Sequence, residues 1–230
     1  MNPRAARRTA EPSPALTRDA VVDQAVAIAD AEGLDAVTVR RVAQELGVTP
    51  MALYWHVSNK DELLAAMGDR LYAPLSAATD TGAPWQDQLR QLADALLAAI
   101  VAHPRLAPLA GARVLGNDNG RRLTETALSL LESAGFSVPE SAVISRRILH
   151  TILTMVTEQE NLGAGLGPQE REAMVRDKKA ALAALPPGAY PHLVAAIDDL
   201  TSCDDEVAYY SYSLDLLLAG IEQLASRTPA

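Results

Sequence analysis

The sequence predicts an all-α protein: an N-terminal helix-turn-helix domain followed by a larger helical domain. Three observations predict it. Apolar residues recur three and four positions apart through most of the chain, the period of one helix face. The hydrophobic share is 49% with only 4% aromatic, an Ala/Leu/Val composition that suits closely packed helices. Between two short helical patterns, Gly47 followed by Thr49-Pro50 marks a tight turn.

Residues 1–15 carry Arg4, Arg7, Arg8 and three prolines with few apolar residues, and read as a disordered basic arm. The arginines either enter a minor groove or form a solvated tail. A first helix is expected from about Thr17 to Glu32, with Val22, Ala25, Val26 and Ala29 inward and Gly33 as its stop. Thr38 is a good N-cap for the next helix, whose Val39, Val42, Ala43 and Leu46 share a face. Gly47 closes that helix, because glycine tolerates the left-handed backbone of a helix end. Thr49 offers another N-cap and Pro50 stands at the first helical position, where its missing N–H costs nothing. This is a helix-turn-helix signature, and its second helix is a probe for the major groove.

On that second helix Leu53 and Val57 are expected inward and Met51 and Tyr54 outward, while Trp55 either packs in the core or joins the contact surface. Arg40 is expected to read a base, guanine foremost, with Tyr54, His56 and Lys60 holding phosphates. Arg18, Thr38, Thr49, Pro50, Met51 and Trp55 complete the expected DNA surface. Ser58 as N-cap with Asp61 three residues on opens a helix that reaches about Tyr72. Pro74 and the run Asp80-Thr81-Gly82-Ala83-Pro84 then separate a DNA-binding domain, 16–73, from a helical domain, 74–230.

In that second domain Leu89, Leu92, Ala93, Leu96, Leu97 and Ile100 form the wide stripe of a helix buried within a domain, ended by His103-Pro104. Leu123, Ala127, Leu130, Leu131 and Ala134 follow, stopped by Gly135, and Ile144, Ile148, Ile152 and Met155 line a further helix. The Gly163-x-Gly165-x-Gly167 run has no strand before it and the wrong spacing for a dinucleotide, so it reads as loop. Pro186-Pro187-Gly188 is another break. In the last helix Cys203, Val207, Tyr210, Leu214, Leu217, Ile221 and Leu224 keep heptad spacing, widened by Leu216, Leu218 and Ala225. A terminal helix apolar on two faces buries one in its own domain and the other against a partner subunit. Ile144, Ile148, Ile152, Tyr210, Leu214, Leu217, Ile221 and Leu224 are therefore expected at a homodimer interface.

The net charge of −9 is uneven. Residues 1–60 carry seven Lys/Arg against seven Asp/Glu, and residues 73–230 twelve against nineteen. Specific DNA binding needs a local basic face, not a basic protein. The lone Cys203 rules out an internal disulfide framework and fits a reducing cytoplasm, and no apolar run predicts a membrane span. The arginines near the N-terminus precede no apolar segment, so no secretory signal is expected. His56, His103, His150 and His192 are scattered and no catalytic constellation stands out.

The string Leu53-Tyr54-Trp55-His56-Val57-x-Asn59-Lys60, with Gly33-Leu34 and Thr38-Val39-Arg40 upstream, resembles the tetracycline-repressor family of bacterial one-component regulators. Trp85-Gln86-Asp87, Glu132-x-x-Gly135-Phe136 and Glu158-Gln159-Glu160 resemble the ligand-binding half of the tetracycline-repressor branch. The resemblance implies an N-terminal helix-turn-helix DNA-binding domain plus a larger helical ligand-binding and dimerisation domain, acting as a dimer on a near-palindromic operator and released by a small molecule. That branch holds a magnesium–drug chelate through a histidine in the stretch that corresponds to Pro104–Arg113, where this chain has none. It also places a polar amide and an aromatic where this chain has Leu92 and Leu96. Both departures point to a more apolar effector held without metal or other cofactor, with Met67, Leu92, Leu96, Arg113, Met155 and Glu158 as candidate lining. The competing expectation is a helical small-molecule-binding or interaction protein whose helix-turn-helix only packs.

Overall fold

The computed structural model describes residues 16–77, 82–161, 167–201 and 206–227. All regular elements among them are helical. The arginines of the N-terminal arm, Gly163, Gly165 and Cys203 lie outside the described residues. The chain divides into two compact units, Met1–Met67 and Gly68–Ala230. The division falls inside a helix, earlier than the Pro74 turn at which the sequence suggests it.

The first unit follows from its caps. Helix α1 (Arg18–Glu32) starts where the Thr17 hydroxyl accepts the Ala20 N–H and ends at Gly33, whose φ of 90° disfavours other residues. Helix α2 (Val39–Glu45) is capped by Thr38, and α3 (Pro50–Leu53) by Thr49. Gly47, at φ 66°, turns one into the other, and the Val48 N–H reaches back to the Ala43 carbonyl. Val21, Val22, Ala25, Ile28 and Ala29 of α1 are buried, as are Val37, Val42, Ala43, Leu53, Val57 and Leu63. Arg41 pairs with Glu32 at 2.8 Å and Glu45 at 2.9 Å, and Arg18 with Glu62 at 3.2 Å.

Helix α4 (Lys60–Tyr72) corrects one cap. Asn59, not Ser58, receives the Glu62 N–H, at 2.8 Å, and Glu62 in turn accepts the Ser58 N–H at 2.7 Å. Both residues are good caps; Glu62 decides between them, because from the third helical position it reaches the residue ahead of Asn59. The Ser58 N–H, its hydroxyl and then Arg18 hold the Glu62 carboxyl below the usual carboxylate range.

In the second unit α5 (Trp85–Ala102) buries Leu89, Leu92, Ala93, Leu96 and Ile100 against α7 (Asp118–Ser133) and α8 (Val138–Asn161). Gly135, at φ 95°, stops α7. The short α6 (Ala107–Arg113), which periodicity does not pick out, follows the His103-Pro104 break. The second half of α4 is fastened to the segments around α6. The buried Tyr72 hydroxyl donates to the Ala110 carbonyl at 2.8 Å, and burial pushes its pKa up, so it remains a donor. Asp69 accepts the Asn119 N–H at 2.9 Å, and the Asn119 amide donates to the Asp69 carbonyl. Buried Asn117 caps α7 through the Gly120 N–H, at 2.7 Å, and donates to the Arg113 carbonyl. Helix α9 (Pro168–Ala183) packs with the one-turn helices α10 (Pro191–Ala195) and α11 (Ile197–Thr201), tied by Lys179–Asp198 at 3.1 Å. The Pro186-Pro187-Gly188 break separates α9 from α10.

Helix α12 (Glu206–Ala225) packs on α5 and α8, with an Arg90–Asp215 ion pair. Here the expected dimer seam is corrected. Tyr210, Leu214 and Ile221 are buried in the chain's own core, with Ile148 and Ile152 of α8, and Leu217 and Ile144 are packed against it. The period of the apolar residues states that a face is buried, not what buries it. Of the expected seam, Val207 and Leu224 remain exposed, and the outward apolar residues next to it are Tyr209, Tyr212 and Leu216. No single helix among the described residues is long and apolar enough to cross a membrane.

Candidate nucleic-acid interface and ligand cavity

Helix α3 is one turn long, too short to be stable alone. It is held from both ends and from beneath. The Thr49 hydroxyl accepts the Ala52 N–H, Pro50 fixes the first backbone angle, and the Leu53 carbonyl receives the N–H groups of His56 and Val57 at 2.8 and 2.9 Å. Leu53 and Val57 are fully buried. The outward side chains are consequently presented on a fixed turn: Met51 is 70% exposed, Tyr54 49% and Trp55 87%. Trp55 therefore belongs to the surface and not to the core. Thr38, Arg40, Thr49, Pro50 and Lys60 are exposed too, and His56 is half-buried.

The charges of this unit sort cleanly. Four cationic side chains lie between residues 16 and 67: Arg18, Arg40, Arg41 and Lys60. Arg18 and Arg41 are paired with carboxylates of the unit. Arg40 and Lys60 have no ion-pair or hydrogen-bond partner among the described residues. Along the chain the two unpaired cations stand on either side of the exposed Met51, Tyr54 and Trp55. An exposed aromatic and thioether surface between unpaired cations can contact bases and phosphates.

In the second unit, a cavity with about 40 Å³ of free space lies between α5, α7 and α8. Leu89, Leu92, Ala93 and Leu96 line it from α5, Leu123, Thr124 and Ala127 from α7, and Ser145, Ile148 and Leu149 from α8, with Val114 beside them. No charged side chain is among them. Of the expected lining residues, Leu92 and Leu96 are there. Met155 is in the core elsewhere, Glu158 is exposed, Arg113 is half-buried outside the lining, and Met67 is buried in the first unit. Thr124 and Ser145 were not singled out from the sequence. The signal was a hydroxyl next to an apolar stripe, one residue after Leu123 and Ile144 respectively. Among the described residues no three His, Cys, Asp or Glu side chains converge on a metal-sized space.

Comparison with known proteins bears on both features. Residues 21–67 match the family model described as bacterial regulatory proteins, tetR family, and residues 78–225 match the tetracyclin repressor-like C-terminal domain. The chain is 33% identical to the transcriptional repressor DrrR1 of Streptomyces coeruleorubidus, over 94% of this chain and 81% of that one. It is 30% identical to the class D tetracycline repressor of Escherichia coli, over 90% and 89%. Ligand-free ActR of Streptomyces coelicolor superposes with a TM-score of 0.77 at 29% identity, covering 96% of this chain and all of that one. The complex of ActR with actinorhodin superposes at 0.73 and 30% identity, covering 92% and 99%.

Proposed function

The chain belongs to the tetracycline-repressor family, a ligand-responsive DNA-binding transcriptional regulator and not an enzyme, and from that premise we propose how its residues act. The protein is a repressor that binds a near-palindromic operator as a homodimer, its two α3 turns about 34–36 Å apart in successive major grooves. Arg40 reads a base edge and Lys60, Tyr54 and His56 hold phosphates. The observation that carries this assignment is the sorting of charge: only Arg40 and Lys60 of the unit's described cations are left unpaired, and along the chain they stand on either side of the exposed turn. A helix-turn-helix that merely packed would have no use for that surface.

The dimer uses the outward side of α12, where Tyr209, Tyr212 and Leu216 are exposed and nothing lies near Gly220, so another helix can approach closely. Exposed Val143 of α8 extends the surface. A small, largely apolar effector occupies the cavity between α5, α7 and α8. Since about 40 Å³ is far below the roughly 300–1,000 Å³ of a drug-sized site, the effector must select a conformation with the walls parted. Val114 of that wall lies three residues from Asn117, beside the Asn119–Asp69 contact, so wall movement reaches the second half of α4. Because α4 runs unbroken from Lys60 to Tyr72, it carries the movement toward the DNA-binding turn. A coupling of about 1–3 kcal/mol lowers operator affinity roughly 5–150-fold.

The test begins with the DNA fragments that the purified protein retains. On the selected operator, Arg40→Ala is expected to cost about 1–3 kcal/mol and to relax preference at one base position per half-site. Lys60→Ala is expected to weaken all sequences alike and to flatten the salt dependence. Equal loss on every sequence for Arg40→Ala reverses the two roles. With no metal-ligating cluster at the cavity, effector-driven release is expected to be the same with and without a chelator. Loss of release on chelation would place a metal in the effector complex.

A further inference from the structure

The DNA-binding turn is chemically uneven. Arg40 and Lys60 supply charge, and Tyr54 and His56 supply hydrogen-bonding groups, but the leading residues of α3 supply neither. Pro50 has no N–H to donate, and the side chains of Pro50, Met51 and Ala52 carry no oxygen or nitrogen. The Thr49 hydroxyl ahead of them is engaged as the cap, accepting the Ala52 N–H at 3.3 Å. Met51 is the most exposed part of this apolar stretch. It precedes Leu53 by two positions, about 200° of helical rotation, so it stands on the side of α3 opposite Leu53. Leu53 is fully buried, and Met51 is accordingly 70% exposed. A single exposed apolar residue is ordinary on a loose surface. This one is aimed outward by a cap, a proline and the buried Leu53 and Val57, and the exposed rings of Tyr54 and Trp55 follow it.

We propose that Met51 reads the methyl group of a 5-methylpyrimidine, thymine foremost, at one position of each operator half-site. This rests on the regulator reading above and adds which base feature the outward side of α3 recognises. In the major groove every base edge presents hydrogen-bond donors or acceptors, and thymine alone of the four bases also presents an apolar group, its 5-methyl. Against a thioether, a donor or acceptor loses its water without replacement. A methyl group has no such loss, and its burial is favourable. The discrimination comes from desolvation and not from a paired hydrogen bond, so it is independent of the base contact assigned to Arg40. Methionine suits the task, because its unbranched, polarizable side chain adapts to the position of the methyl. 5-Methylcytosine carries the same group at the same ring position. The turn therefore also distinguishes methylated from unmethylated cytosine there.

The test uses the full chain and the operator selected from retained DNA fragments, with affinity read by fluorescence anisotropy at one fixed salt concentration. Each thymine of the half-site is replaced in turn by uracil, which lacks only the methyl. At one position uracil is expected to weaken binding about fourfold per half-site, and about 10–20-fold when both half-sites carry it, the scale of one buried methyl group at each. With cytosine at that position, 5-methylcytosine is expected to recover a similar factor. Met51→Ala is expected to bring the thymine-to-uracil ratio at that position within about twofold of unity, the coupling that a direct contact produces. Uracil tolerated within about twofold at every thymine overturns the proposal, on the same one-methyl scale. A ratio that Met51→Ala leaves in place also overturns it and gives the methyl to another residue. So does a half-site with no fixed thymine. All these failures occur with DNA bound. The regulator reading fails separately, if the unaltered protein retains no DNA, and the proposal then falls with it.

Discussion

Leu216→Asp is expected to leave a folded monomer in sedimentation and to lower operator affinity by about 10²–10⁴-fold. The size of the loss comes from valency. Two linked reading heads bind as one intramolecular event after the first contact, and separating them removes that advantage without altering either head. Leu216 is 61% exposed, on the outward side of α12 with Tyr212 one turn before it and Gly220 one turn after. An aspartate there is solvated in the free chain, so the fold loses little. In an interface the same carboxylate is buried without a partner, which is strongly unfavourable. Leu217→Asp is a poorer test, since Leu217 packs against the chain's own core and its replacement unfolds as well as separates. A Leu216→Asp variant that sediments as a dimer with unchanged operator affinity would remove this face of α12 from the interface.

The second large effect is expected at Gly120. A Cβ at this position overlaps the Val114 carbonyl oxygen and comes within 2.8 Å of the Asn117 side-chain oxygen. Neither neighbour is the yielding end of a long side chain: one is backbone, the other is held by its bonds to Gly120 and Arg113. Gly120→Ala therefore pushes the first turn of α7 off its support. Overpacking of this kind costs about 1–3 kcal/mol, and breaking the Asn117 cap adds roughly 1 kcal/mol. The denaturation midpoint is expected to fall accordingly. Gly188→Ala, at an exposed turn with nothing near its Cβ position, is the control and is expected within about 0.5 kcal/mol of the parent. Equal midpoints for the two variants would contradict the close approach.

What could be read in advance follows the range over which each feature is decided. The caps Thr38 and Thr49 and the stops Gly33, Gly47 and Gly135 depend on three or four neighbouring residues, and these were legible. The start of α4 is also local, yet Ser58 and Asn59 compete as caps, and only the reach of Glu62 separates them. The faces of α12 were legible as two apolar stripes, but which one meets the chain's own core depends on α5 and α8, more than forty residues upstream. The cavity lies further still from any local signal. Leu92, Thr124 and Ser145 become neighbours only when three helices converge. The contrast between Arg40 and Arg41 lies between these cases. Glu45 stands one turn from Arg41 and was available as its partner, whereas Glu32 comes from another helix.

The narrowness of the cavity has a consequence for how such a regulator responds in a cell. Work spent on parting the walls is subtracted from what the effector gains by binding, and each ~1.4 kcal/mol so spent raises the concentration needed for half-response tenfold. If the effector enters as proposed, wall residues that resist opening, such as Leu89 and Ala93, set the threshold of the response. On that reading selection can retune the threshold by a methyl group at a time in the cavity wall, leaving every residue of the DNA-binding turn unchanged.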